Sequence, residues 1–158
     1  MRVHFHCNQA CDFCFVSTHL PPPPEASVRD AIARAAALGD VVLSGGEPTL
    51  NPRLVEYVAL ARSLRARSVE LQSNAIRFAS EPALAHALRE AGLDRAMISL
   101  HGSHAALSDA ITAAPGTFEK TLRGVDALVA AGVAVRLNHV ACGANATDFP
   151  AFVRFVAA

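Results

Sequence analysis

The feature that most limits how this chain can fold is a repeated change of hydrophobic period. Short β-rich runs alternate with longer Ala/Leu-rich stretches whose apolar residues recur at helical spacing. That alternation marks βα units laid around a parallel sheet. Five units are legible, with strands expected at Arg2 to His6, Val41 to Ser44, Ser68 to Gln72, Ala96 to Leu100 and Val133 to Val140. The chain is therefore read as α/β. Its 158 residues, 52% of them hydrophobic, suffice for one domain with a real core.

Helix punctuation supports the same division. Glu25 to Leu38 reads as a helix entered from Pro21 to Pro24, a stiff donor-free spacer, and ended by Gly39. A proline-recognition ligand is the weaker reading of those prolines. Asn51 is a plausible N-cap, with Pro52 at the first helical position and Leu54, Val58, Ala61 and Leu64 on one apolar face. Ser80 is expected to cap the stretch that ends at Gly92, and Thr117 and Gly132 bracket the next. Thr147 is expected to cap a last helix carrying Pro150 in its first turn.

Charge excludes some partners. Lys+Arg and Asp+Glu both number 14, so no net positive charge speaks for a nucleic acid or a membrane surface. No apolar run approaches the roughly 18 residues of a transmembrane span, and the opening residues are too polar for a secretory signal. A cytoplasmic chain with a small-molecule or peptide partner is expected.

Polar and glycine-rich loops follow every strand, and in parallel α/β folds such loops meet at the carboxyl edge of the sheet, where ligands bind. The first carries Cys7, Cys11 and Cys14 in the spacing C-x3-C-x2-C. Clustered thiols in a chain of this kind read as metal ligands rather than disulfides. Two chemistries suit them. A structural zinc would need a fourth ligand, which His4 or His6 could supply. An iron–sulfur centre held by three thiolates would leave one iron open to substrate.

Taken in order, these motifs resemble the radical S-adenosylmethionine enzymes. The cysteine loop has an aromatic residue, Phe13, before its last cysteine; Gly45-Gly46-Glu47-Pro48-Thr49 follows the second strand; and residues 98 to 140 are similar to that family's fourth and fifth βα units. The resemblance covers essentially the whole chain, read as a core domain over 1–158. It implies a partial TIM-type βα barrel, of whose usual six units five are supplied, so that the sequence reads as truncated or completed by a partner. It also implies a 4Fe-4S cluster on Cys7, Cys11 and Cys14, with S-adenosylmethionine chelating the fourth iron. An electron donor such as flavodoxin or ferredoxin reduces the cluster, and cleavage gives a 5′-deoxyadenosyl radical that takes hydrogen from a substrate.

Site roles follow from the same resemblance. Gly45, Gly46, Glu47 and Pro48 are expected at the methionyl group, with Glu47 accepting from its amine. Phe13 is expected beside the cluster or the adenine, and Asn74, Ser99 and Asn138 against the ribose and carboxylate. Each also has a structural alternative: turn formation for the glycine motif, core filling for Phe13, loop satisfaction for the others. His101 faces the expected site, and Cys142 reads as a lone packed thiol. A zinc-stabilised binding module and a simple electron carrier are the competing functions. The preference for peptide or cofactor maturation rests on analogy.

Overall fold

A computed structural model describes residues 1–157. The elements run β1 Arg2–His4, α1 Glu25–Leu38, β2 Asp40–Gly45, a one-turn 3-10 helix Pro48–Leu50, α2 Leu54–Ser63, β3 Ser68–Ser73, α3 Ile76–Ser80 and α4 Pro82–Glu90. They continue with β4 Arg95–Ser99, α5 Ala105–Thr112, α6 Thr117–Ala130, β5 Ala134–Asn138 and α7 Phe149–Ala157. All neighbouring strands are parallel, and their order in the sheet is β1-β2-β3-β4-β5. β1 and β5 each pair on one side only, so the sheet is an open segment of a βα barrel.

Strand alternation divides the sheet into two faces. Val3, Val41, Leu43, Val69, Leu71, Ala96 and Ile98 point at the helices and are buried with Ile32, Leu54, Val58, Leu88 and Leu128. At roughly 1.5–3 kcal/mol for each large side chain removed from water, this layer dominates the fold's stability. The opposite, concave face is polar. Arg2, Ser44, Gln72, Met97 and Arg136 form one row across it by strand register, and the row below holds Glu70 bonded to Arg95 at 2.8 Å.

Several boundaries differ from the sequence reading. β1 stops at His4 and β5 spans Ala134–Asn138, because beyond them the backbone leaves the ladder: Glu47 N–H bonds His6 O across a loop, and Val140 N–H donates to a side chain, His101. Residues 48–50 wind into a 3-10 turn, which delays α2 to Leu54, beyond Pro52. Asn51 therefore is not that helix's cap. Its Oδ1 accepts from Arg53 N and its Nδ2 donates to Val3 O, lacing the turn to β1. Ser80 is the last residue of α3 and donates to Arg77 O; α4 starts at Pro82 without a side-chain cap. Leu64 falls just past α2 and is exposed. Thr117 is the first residue of α6, and the capping comes from afar: the Asp109 carboxylate accepts from the N–H groups of Gly116, Thr117 and Phe118. Thr147 does not cap α7, which Asp148 O starts by accepting from Phe152 N. The helix ends at Gly39, Gly92 and Gly132 stand as expected.

Candidate functional site

The loop after β1 is built to arch over the carboxyl edge. Cys14 N–H bonds Cys11 O at 2.9 Å, closing a tight turn, while Ala10 N–H donates to Thr112 O and Gln9 Nε2 to Thr117 Oγ1, pinning the loop to α5 and α6. Cys7, Cys11 and Cys14 thereby line one cavity of about 360 Å³, with Phe13 beside them. The opposite wall comes from the strand ends: Gly45, Gly46 and Glu47 after β2, Asn74 after β3, and Ser99 and Asn138 closing β4 and β5.

The thiols are close enough to feel one another. Burial pushes the Cys11 thiol up to about 11, and negative charge on Cys7 and Cys14 pushes the same way; burial likewise raises Cys7. Among the described residues, no three His, Cys, Asp or Glu side chains converge tightly enough to clamp a single metal ion. His4 and His6 face each other edge to face at 5.4 Å, outside the cavity wall.

The two glycines are required by β1 as much as by any ligand. A β-carbon on Gly45 would overlap the His4 carbonyl, and one on Gly46 the carbonyls of Phe5 and His6. Gly45 also holds φ +149°, where side chains are strained. Glu47 is 1% exposed, and its Oε1 accepts from Thr49 N, Thr49 Oγ1 and Ser73 Oγ, its Oε2 from Asn74 N. Burial raises its pKa against those four donors. The carboxylate is thus first a clamp that joins the β2 and β3 loops, with spare acceptor capacity on Oε2 only. Pro48, buried at the start of the 3-10 turn, is not among the residues that line this cavity, and its ring fixes the turn. Asn74 Nδ2 donates to Asn8 Oδ1 at 2.7 Å and lies 4.0 Å from Cys7 Sγ, while its Oδ1 accepts from Ile76 N.

His101 is brought into the wall, 3% exposed, with its ring edge-on to Phe13 at 4.9 Å. Val140 N–H donates to Nδ1, so the ring proton sits on Nε2. Burial, aided by His139, pushes its pKa down to about 4, keeping the ring neutral at pH 7. Cys142 lies apart, lining a neighbouring apolar cavity with Phe13, Leu107 and Ile111.

Several further wall residues were not singled out from the sequence. Ser44, Gln72 and Met97 share the concave face with Ser99 and Asn138, and the period of two would have found them from Gly46, Asn74 and Ser99, two residues further along. Arg2 and Phe15 carry no such signal: the loop folds back so that the guanidinium lies 5.6 Å over the exposed Phe15 ring.

Comparison with known proteins bears directly on this arrangement. The sequence model of the radical SAM superfamily matches residues 1–156. The chain is 34% identical over 138 residues to the AdoMet-dependent heme synthase of Oleidesulfovibrio alaskensis, covering 84% of this chain and 35% of that protein. It is 28% identical over 155 residues to the probable GTP 3′,8-cyclase of Sulfurisphaera tokodaii, covering 94% and 48%. Among solved structures, native anSMEcpe with bound AdoMet and Cp18Cys peptide superposes with a TM-score of 0.77 at 18% identity, over 99% of this chain and 46% of that one. Streptococcus suis SuiB bound to precursor peptide SuiA gives 0.78 at 17%, over 98% and 35%. The chain thus spans less than half the length of these relatives, and the structural likeness speaks for the fold.

Proposed function

This chain belongs to the radical SAM superfamily, and on that premise we propose that it binds a 4Fe-4S cluster through Cys7, Cys11 and Cys14 and cleaves S-adenosylmethionine reductively to start hydrogen abstraction from a substrate. The observation that carries the reading is the cavity wall: three cysteine thiols from one loop on one side and glycine backbone with polar strand ends on the other. Crowded thiolates become favourable only against a cationic centre. Three thiolates suit a cluster, which distributes its ligands over separate irons and leaves one without a protein ligand. When bound, the cluster supplies the electron that breaks the sulfonium bond of S-adenosylmethionine.

The chain's own residues position the reactants. Gly45 and Gly46 leave the β2 edge flat enough for a methionyl group, and Glu47 Oε2 offers an acceptor to its amine. Ser99 and Asn138, adjacent by register, supply hydroxyl and amide groups to a ribose or carboxylate. Phe13, held by His101, gives an apolar surface beside the thiols, and the neutral His101 ring offers an Nε2–H donor without adding charge. Holding partners in register and excluding water is the protein's share of such catalysis. A substrate in cofactor or peptide maturation is in keeping with similar proteins named as a heme synthase or seen with a bound peptide, and an external electron donor completes the reaction.

Anaerobic reconstitution with iron and sulfide, followed by titanium(III) citrate and S-adenosylmethionine, tests this. The expected result is a brown protein that releases 5′-deoxyadenosine and methionine in equal amounts. A colourless protein that takes up zinc, or a cluster that reduces without releasing 5′-deoxyadenosine, overturns it.

A further inference from the structure

If the main cavity holds S-adenosylmethionine and substrate, the reducing electron must reach the thiols from another side. The structure has a second cleft, of about 400 Å³, on the outer flank of the cysteine loop. Its walls include Asn8, Leu50, Arg77, Glu81, Lys120 and Arg123. The loop separates the two spaces: Cys7 and Gln9 line the cavity, and Asn8 between them lines the cleft. One covalent bond therefore connects the cleft wall to a thiolate residue.

The cleft is basic and firmly joined to the loop. Glu81 is paired with Arg77 at 2.8 Å, whereas Lys120 and Arg123, exposed one turn apart on α6, take part in no ion pair among the described residues. Between them Thr121 Oγ1 donates to Asn74 O, and Asn74 Nδ2 donates to Asn8 Oδ1. Gly124 lets α6 lie directly on the start of α3, since a β-carbon there would overlap the Ala75 carbonyl. The stretch of α6 that carries the two cations is thus tied to the loop that holds Cys7.

We propose that this cleft docks an acidic one-electron carrier protein, which delivers its electron through the Asn8–Cys7 segment. The inference rests on the cluster reading above. In the step the carrier is oxidised by one electron and the iron–sulfur centre reduced by one; no bond is made or broken and no proton moves. Charge complementarity selects the partner and speeds its encounter, and docking here leaves the substrate cavity unobstructed.

The test uses the double variant Lys120→Glu/Arg123→Glu with flavodoxin as the acidic probe. Titration of the cluster-free chain with oxidised flavodoxin should show binding that weakens steeply with salt, and the variant should bind at least about tenfold more weakly at low salt, with a flatter salt dependence. In the reconstituted protein, reduction by flavodoxin should slow to a similar degree while reduction by titanium(III) citrate is unchanged. Equal affinities and equal rates overturn the proposal, as does inorganic pyrophosphate displacing flavodoxin from the cleft at equal concentration, which would make it a phosphate site. If the double variant loses its far-ultraviolet circular dichroism, Lys120→Gln/Arg123→Gln decides by the same readouts. Failure of the unaltered protein to cleave S-adenosylmethionine with titanium(III) citrate counts against the cluster reading, and the cluster-free titration still decides the docking.

Discussion

On the helix side of the sheet Val41, Leu43, Val69, Leu71 and Ile98 are fully buried, whereas Ser44, Gln72, Met97 and Ser99 alternate with them and line the cavity on the concave side. The same strands therefore serve two ends, and one residue of register separates them. Helix-facing positions hold the fold by apolar burial; concave positions are left to polar groups that a packed core would not tolerate. Stability and chemistry are divided by side-chain parity rather than by segment.

Mutating neighbours in β3 tests that division most strongly. Leu71→Ala should cost about 4 kcal/mol through lost burial and a residual cavity, read as a lower denaturation midpoint, while the folded fraction binds S-adenosylmethionine normally. Gln72→Ala, one residue along, should change stability by less than about 1 kcal/mol and weaken S-adenosylmethionine binding instead.

Glu47 is where parity stops being the guide. It stands at the site, yet it is as buried as the core and holds Thr49, Ser73 and Asn74. Glu47→Ala should cost about 3 kcal/mol, because several buried donors lose their partner. A merely ligand-binding Glu47 would leave the urea midpoint of the cluster-free protein in place.

His101 sharpens the comparison through pH. The unfolded chain protonates this ring near its ordinary 6.5 and the folded chain only near 4, so the unfolded state takes up the proton first. Its contribution is whole above about pH 6.5 and is lost as pH falls towards 4, about 3 kcal/mol in all. His101→Asn, whose Oδ1 can accept from Val140 N–H, should flatten that part of the stability–pH curve in chemical denaturation. A smaller effect is expected at the distant cap: Asp109→Ala should cost about 1 kcal/mol, by leaving the first N–H groups of α6 without their acceptor.

The sequence revealed what is periodic or local. Five βα units, a first helix near Glu25 to Leu38 and the cysteine spacing were all legible, because each depends on near neighbours. What escaped it depends on distant ones. Asp109 caps a helix from another, α3 and α5 are short helices that no cap or period singled out, and Pro48, expected at the ligand, is buried in a 3-10 turn that no local signal announced. Glu47 was legible as an acid at the site but not as a clamp, since Ser73 and Asn74 lie a strand away.

The account depends above all on an iron that no side chain of this protein occupies. In the reduced, reconstituted protein, electron–nuclear double resonance with S-adenosylmethionine labelled with nitrogen-15 at its amine and oxygen-17 at its carboxylate measures that coordination directly. Hyperfine coupling from both labels to the cluster is predicted. A cluster signal that the labelled compound leaves unchanged, with every iron ligated by the protein, would contradict it.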